Sequence, residues 1–216
     1  MRTTYTERLK GLKIKLLKMG SMVQEIIEES LQALMEQDME KAAKIYIMDD
    51  KIDELELEIE KECMELIALQ QPMAKDLRII GTILKAITDL ERMGDHAVNI
   101  AKQTRLIGDE EFIKPLVDIP KMARLSEKMV AKCLDSFLKE DLDLAREVAY
   151  EDNEVDETYE RVYLELMEMM IEDQKVIKQA FHLLLIARFL ERIADHSTNI
   201  SERVIYMVTA ERVEIN

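Results

Sequence analysis

An all-α protein made of two tandem three-helix bundles is the fold this chain predicts, and three observations carry it. Helix breakers are scarce, with 5 glycines and 3 prolines among 216 residues. The composition, 48% hydrophobic and 35% charged and rich in Glu, Lys, Leu, Ile, Met and Ala, suits long packed helices rather than disorder. One stretch is written twice, DLERMGDHAVNI at 89–100 and FLERIADHSTNI at 189–200.

The breakers divide the chain into six helical segments. The first is expected over residues 4–35 and the second over 39–69, where Gln70-Gln71-Pro72 interrupts. The third, 73–107, stops at Gly108-Asp109, a glycine exit typical of helix C-termini. Residues 108–120 hold two prolines and a run of acids, so the midpoint linker is placed at 109–120. The last three helices follow at 121–138, 142–171 and 174–211, giving a first repeat over 1–108 and a second over 121–216. Helices of about 30 residues are far above the usual length of about 12, so they need bundle packing to be stable.

The duplication extends well beyond the twelve residues. An offset of 103 places Ile26-Ile27 on Met129-Val130, Leu34 on Phe137 and Asp49 to Asp53 on Asp152 to Asp156. Past Pro72 the offset becomes 100, the change that a three-residue difference in one loop produces. Two copies of one three-helix unit therefore account for nearly the whole chain.

Charge and cysteine usage narrow the function classes. A net charge of −15 repels nucleic acid and bare anionic bilayers and favours metal cations or basic protein surfaces as partners. Cys63 and Cys133 stand far apart among apolar helical positions and read as buried small hydrophobes in a reducing compartment. The N-terminal MRTTYTERLK has no apolar signal region, and the most apolar run, 181–190, is broken by His182 and Arg188, so neither a signal peptide nor a spanning helix is expected. No G-x-S-x-G, P-loop or matched Cys and His pair is visible.

Within the repeat, acids stand where a neighbouring helix must pack. In the third helix, Ile80, Ile83, Leu84, Ile87, Leu90, Gly94 and Val98 form one apolar sector. Glu91 lies inside it, with Asp95 and Asn99 at its flank. Glu191, Asp195 and Asn199 repeat this arrangement. In the second helix Asp49 and Asp53 edge the stripe of Ile45, Met48, Ile52, Leu55 and Ile59, and Asp152 and Asp156 do the same in the fifth. Four carboxylates converging between two helices repel one another unless a cation binds or basic residues intervene. Oxygen donors suit hard or borderline ions such as iron, manganese, magnesium or calcium, with His96 and His196 as possible nitrogen donors. The other reading is an ion-paired seam in which Arg92 and Arg192 neutralise the acids. Both histidines lie on the polar side of their helices and are expected at the surface first and as ligands second. A di-iron carboxylate enzyme is disfavoured, because such bundles use Glu-x-x-His and His96 stands five residues after Glu91.

At these residues the chain resembles the PhoU family, bacterial regulators of phosphate uptake built as two three-helix repeats. The family's doubled motif is close to D-L-E-R-I-G-D-H-A-x-N-I, and its Q-P-x-A-x-D-L-R loop matches Gln71 to Arg78. Ala194 replaces a usual glycine, and the second copy lacks the Q-P loop. The resemblance implies a cytoplasmic adaptor, peripheral to the inner membrane through its partners. In that role it represses the phosphate-starvation response by contacting the phosphate ABC transporter's ATPase and a sensor histidine kinase. It further implies a homodimer, no catalytic role, and metal on the acidic motifs, multinuclear iron or another ion among zinc, manganese, magnesium and calcium. The ligands it transfers are Asp49, Asp53, Glu91 and Asp95 in one repeat and Asp152, Asp156, Glu191 and Asp195 in the other. His96, Asn99, His196, Asn199, Arg92 and Arg192 are possible further ligands or supporting groups.

Overall fold

The computed structural model describes residues 2–70 and 72–215, with side chains from residue 5 onward except at 70. Gln71, part of the expected interhelical loop, lies outside the described residues. The described residues form α1 (Arg2–Glu36), α2 (Met39–Gln70), α3 (Ala74–Ile107), α4 (Asp118–Lys139), α5 (Leu142–Glu172) and α6 (Ile177–Thr209), with a 3₁₀ turn at Gln174–Val176 before α6 and no strand among them.

The turns that separate these helices also repeat. Gln37 and Glu140, related by the offset of 103, both take a left-handed conformation (φ 51° and 54°) that breaks the helix ladder. The next residue then starts the following helix. Asp38 Oδ1 accepts from the backbone N–H groups of Glu40 and Lys41, and Asp141 Oδ1 from those of Asp143 and Leu144. Each carboxylate satisfies donors that the first helical turn leaves unpaired. Helix α4 begins at Asp118, earlier than expected, with Pro120 inside its first turn. A proline fits there because that turn has no intrahelical use for its N–H.

Helices α1, α2 and α3 pack against one another, as do α4, α5 and α6. The two triplets meet through α1 against α4 and α3 against α6, so these four helices form a closed inner ring with α2 and α5 outside it. Shared burial explains why α3 carries far more buried apolar residues than one amphipathic face supplies: Ile80, Ile83 and Ile87, but also Ile79, Ala86, Met93, Ala97 and Ile100. The α1–α4 crossing is tight enough that a Cβ on Gly20 would stand 1.9 Å from Leu134 Cδ1. Both cysteines are free and fully buried, and burial pushes the Cys63 thiol up to about 12, where it is inert at neutral pH. No helix among the described residues is long and apolar enough to cross a membrane.

Candidate functional site

The ring places α2 against α3 and α5 against α6 at the two outer seams, and each seam carries a group of acids. In the first repeat Asp49 and Asp53 come from α2, and Glu91 and Asp95 from α3. Burial, then the charges of Asp53, Asp95 and Glu91, push the Asp49 carboxyl up to about 7. Burial and neighbouring carboxylates also raise Asp53 and Glu91. Asp49 Oδ1 is buried with no hydrogen-bond partner among the described residues. Its seat exists because residue 94 is glycine: a Cβ there would lie 2.6 Å from Asp49 Oδ1 and 3.4 Å from Ile52 Cδ1.

One cation attends this seam. Arg92 Nη1 donates to Asp95 Oδ2 at 2.9 Å, while its Nε stands 3.3 Å from Glu91 Oε2 without hydrogen-bond alignment. With Arg92 about half exposed, solvent screens both pairs, and they offset little of the repulsion among four carboxylates. A fifth carboxylate, Glu56, borders the group and accepts a hydrogen bond from Thr88 Oγ1 at 3.2 Å. The sequence reading missed it, although Glu56 lies seven residues after Asp49 and therefore on the same helix edge.

The second repeat gathers Asp152 and Asp156 from α5 with Glu191 and Asp195 from α6. Burial and then Asp195 push Glu191 up to about 7, with Asp156 and Asp152 adding to the rise and Arg188 opposing it. Its Oε2 is buried without a hydrogen-bond partner among the described residues. The neutralising cation differs from expectation. Arg192 forms no ion pair among the described residues, whereas Arg188 pairs with Glu191 Oε1 and lies 5.7 Å from the Tyr159 ring centre. Arg188 and Tyr159 occupy the positions of Thr88 and Glu56 in the first repeat, so the exchange trades a carboxylate for an aromatic face under a guanidinium. Arg188 precedes Glu191 by three residues, a helical spacing that could have found it.

The histidines are also placed differently from the expectation of surface positions. His96 is buried at the α3–α6 interface, its ring centre 5.8 Å from Phe189 and 5.6 Å from His196. His196 is half-buried, with Nδ1 hydrogen-bonded to Asp89 Oδ1 at 2.9 Å. Phe189 stands where the repeat would place a second aspartate, so His96 stacks where His196 hydrogen-bonds. Burial, then Arg192 and His196, hold the His96 imidazole down to about 4. Asn99 accepts from Lys102 Nζ at 3.2 Å, and Asn199 is exposed.

The donor chemistry fits a hard cation: partly buried carboxylates, two of them raised to about 7, with unpartnered buried oxygens in each seam. Among the described residues, no three Asp, Glu, His or Cys side chains already stand together closely enough to hold one ion. Side-chain rotation would have to complete any coordination shell.

A scan of family models matches the chain to "PhoU domain" twice, over residues 16–104 and 119–204. The chain belongs to the PhoU family. It is 39% identical over 216 residues to a Clostridium acetobutylicum protein called a phosphate-specific transport system accessory protein PhoU homolog, covering 100% of this chain and 99% of that one. A protein of the same description from Aquifex aeolicus is 43% identical over 208 residues, covering 96% and 94%. The crystal structure of PhoU from Pseudomonas aeruginosa superposes with a TM-score of 0.91 at 36% identity, covering 96% of this chain and 100% of that one. That of the phosphate transport system regulatory protein PhoU from Streptococcus pneumoniae also gives 0.91, at 32% identity with 97% and 99% covered.

The shifted carboxyls predict the pH response of this family member in EDTA. Asp49, Glu191 and also Glu127, which burial and Glu28 push up to about 7, take up protons in the folded state below about pH 7. Unfolded, they do so only near pH 4. Between these limits the folded state holds more protons, so acidification stabilises it. His96 acts oppositely: below about 6.5 the unfolded imidazole protonates while the folded one waits until about 4. His182, lowered by burial and then Lys178, opposes in the same sense as His96. Asp53, Glu56, Glu91 and Asp156, all raised by burial first, act with the three acids. The raised carboxyls outnumber the lowered histidines, so the melting temperature should rise from pH 7.5 to about 5.5. Scanning calorimetry across that range checks it.

Proposed function

We propose that this chain is a cytoplasmic, metal-binding accessory protein of phosphate transport. It represses the phosphate-starvation response as an adaptor between the phosphate ABC transporter's ATPase and a sensor histidine kinase. Membership of a family whose relatives are called phosphate-specific transport system accessory proteins is the observation that carries the reading. The protein works by contact rather than catalysis, sits peripherally at the inner membrane through its partners, and associates as a homodimer.

Asp49, Asp53, Glu91 and Asp95 would hold metal in the first repeat, and Asp152, Asp156, Glu191 and Asp195 in the second. Iron, manganese, zinc, magnesium and calcium are the candidate ions. A bound cation would supply positive charge to carboxylates that otherwise repel, drawing α2 to α3 and α5 to α6. The competing reading, a scaffold without metal, is favoured by Arg92 and Arg188, each already paired with a seam carboxylate.

A membrane co-sedimentation assay tests the adaptor reading. The purified protein should stay in the supernatant with protein-free anionic vesicles, since a charge of −15 gives no attraction to them. It should pellet with vesicles carrying the transporter or the kinase. Equal pelleting with the bare vesicles would contradict the reading.

A further inference from the structure

A cationic feature of this acidic molecule lies away from both acidic seams, in a cleft of about 270 Å³ between α3 and α6. Arg78, Lys85, Arg203 and Arg212 line it together with Tyr206, over a floor at Gly81 and Thr82. No carboxylate lines the cleft, and none of the four cations forms an ion pair among the described residues. On a chain with 45 acidic and 30 basic residues, four cations without an ion pair around one hollow run against the net charge. The nearby acids Glu202 and Glu214 line an adjoining hollow that Arg203, Tyr206 and Arg212 also border.

The fold builds this cleft with specific contacts. Arg78 is fixed by donation from Nε to the Met207 carbonyl at 3.1 Å, and Thr82 Oγ1 donates to the Arg203 carbonyl at 3.4 Å, which ties the two walls together. Ala210, in a left-handed conformation (φ 64°), turns the chain out of α6. Glu202 Oε1 then accepts from the Ile215 N–H at 3.0 Å, holding the returning segment against α6 so that Arg212 reaches the cleft. A Cβ on Gly81 would meet nothing within 4 Å, so the floor is open.

The internal repeat supplies a comparison. The positions equivalent to Gly81, Lys85, Arg203 and Tyr206 are Phe181, Leu185, Gln103 and Leu106. There, Phe181 and Leu106 are exposed, and Gln103 Oε1 is hydrogen-bonded to His182 Nδ1 at 2.8 Å. Only the Arg78 position keeps a cation, Lys178, and it pairs with Glu110. The same fold thus tolerates an apolar surface at the Gly81, Lys85 and Tyr206 positions and a neutral amide at Arg203, so bundle packing does not require the charges of Lys85 and Arg203.

We propose that this cleft binds a small anion carrying two or more phosphate groups. Guanidinium forks match phosphate oxygens in paired hydrogen bonds, which favours phosphate over a diffuse acidic surface. A formal charge of +4 exceeds what one phosphate dianion neutralises. Tyr206, half-buried and with no side-chain hydrogen bond among the described residues, offers a further donor. The site is independent of the acidic seams and of any metal they hold.

Isothermal titration of the EDTA-treated full chain with pyrophosphate, orthophosphate and ATP tests this. Pyrophosphate should bind one site per chain, more tightly than orthophosphate. ATP binding as well as pyrophosphate or better would identify a nucleotide source, and pyrophosphate alone an inorganic one. The double variant Lys85→Leu/Arg203→Gln, which installs the residues of the other repeat at two exposed positions, should weaken binding by about tenfold or more with an unchanged melting temperature. Asp49→Asn should bind as wild type does. Absence of pyrophosphate binding, equal affinity of the Lys85→Leu/Arg203→Gln variant, or equally tight binding of a polyglutamate peptide would overturn the proposal.

Discussion

Phe137→Ala should destabilise the protein by about 3–5 kcal/mol, the usual cost of emptying a fully buried phenylalanine site. Phe137 is among the largest completely buried side chains. Its ring also lies 5.6 Å below the Lys13 ammonium, so the change removes a contact between α4 and α1 as well as core volume. For a chain of this length the loss corresponds to a fall of about 10 °C in melting temperature. Phe137→Leu is the control, because Leu34 fills the equivalent position of the first repeat and is itself fully buried. It should cost less than about 1.5 kcal/mol. Equal losses from both changes would show that volume at this site is not what joins the repeats.

The second large effect concerns the acidic seams. If they bind cations, metal at one hundred times its dissociation constant stabilises the protein by about 2.7 kcal/mol per site through linkage. Asp49→Asn/Glu191→Gln should remove most of that response, because it replaces in each seam a carboxylate pushed up to about 7 by burial and its acidic neighbours. In EDTA the same variant should melt at or above wild type, since no metal then offsets the repulsion. Arg188, left without Glu191, is about half exposed and stays hydrated. An ion-paired seam predicts the reverse, with the variant melting below wild type in EDTA and neither protein responding to metal. Melts in EDTA and then in iron(II) or manganese separate the two.

The architecture was legible in the sequence because two independent signals agreed: helical periodicity without breakers, and a repeat that preserved it. Where the reading failed, it treated each helix as having one buried face. His96 lies opposite the apolar stripe of its own bundle, which reads as solvent-facing, yet that side of α3 packs on α6. No count along one helix contains that information. Pro120 falls in the expected linker at 109–120, although a proline sits as readily in the first turn of a helix. Residues that change together across the repeat were visible as letters but not as pairs. Thr88 with Glu56 becomes Arg188 with Tyr159, and these positions meet only once two helices are packed. Gly94 and Ala194 look interchangeable in sequence. In three dimensions the missing Cβ of Gly94 is the space occupied by Asp49 Oδ1.

Metal content after equilibrium dialysis tests the reading of the acidic seams most directly. Wild-type protein dialysed at pH 7.5 against iron(II) or manganese, then measured by elemental analysis, should retain metal in both repeats. Asp49→Asn/Asp95→Asn should lose the share held by the first repeat, Asp152→Asn/Asp195→Asn the share of the second, and the combined variant all of it. Wild-type protein that retains none of the candidate ions, or a combined variant that retains as much as wild type, would contradict the assignment of these eight carboxylates as ligands.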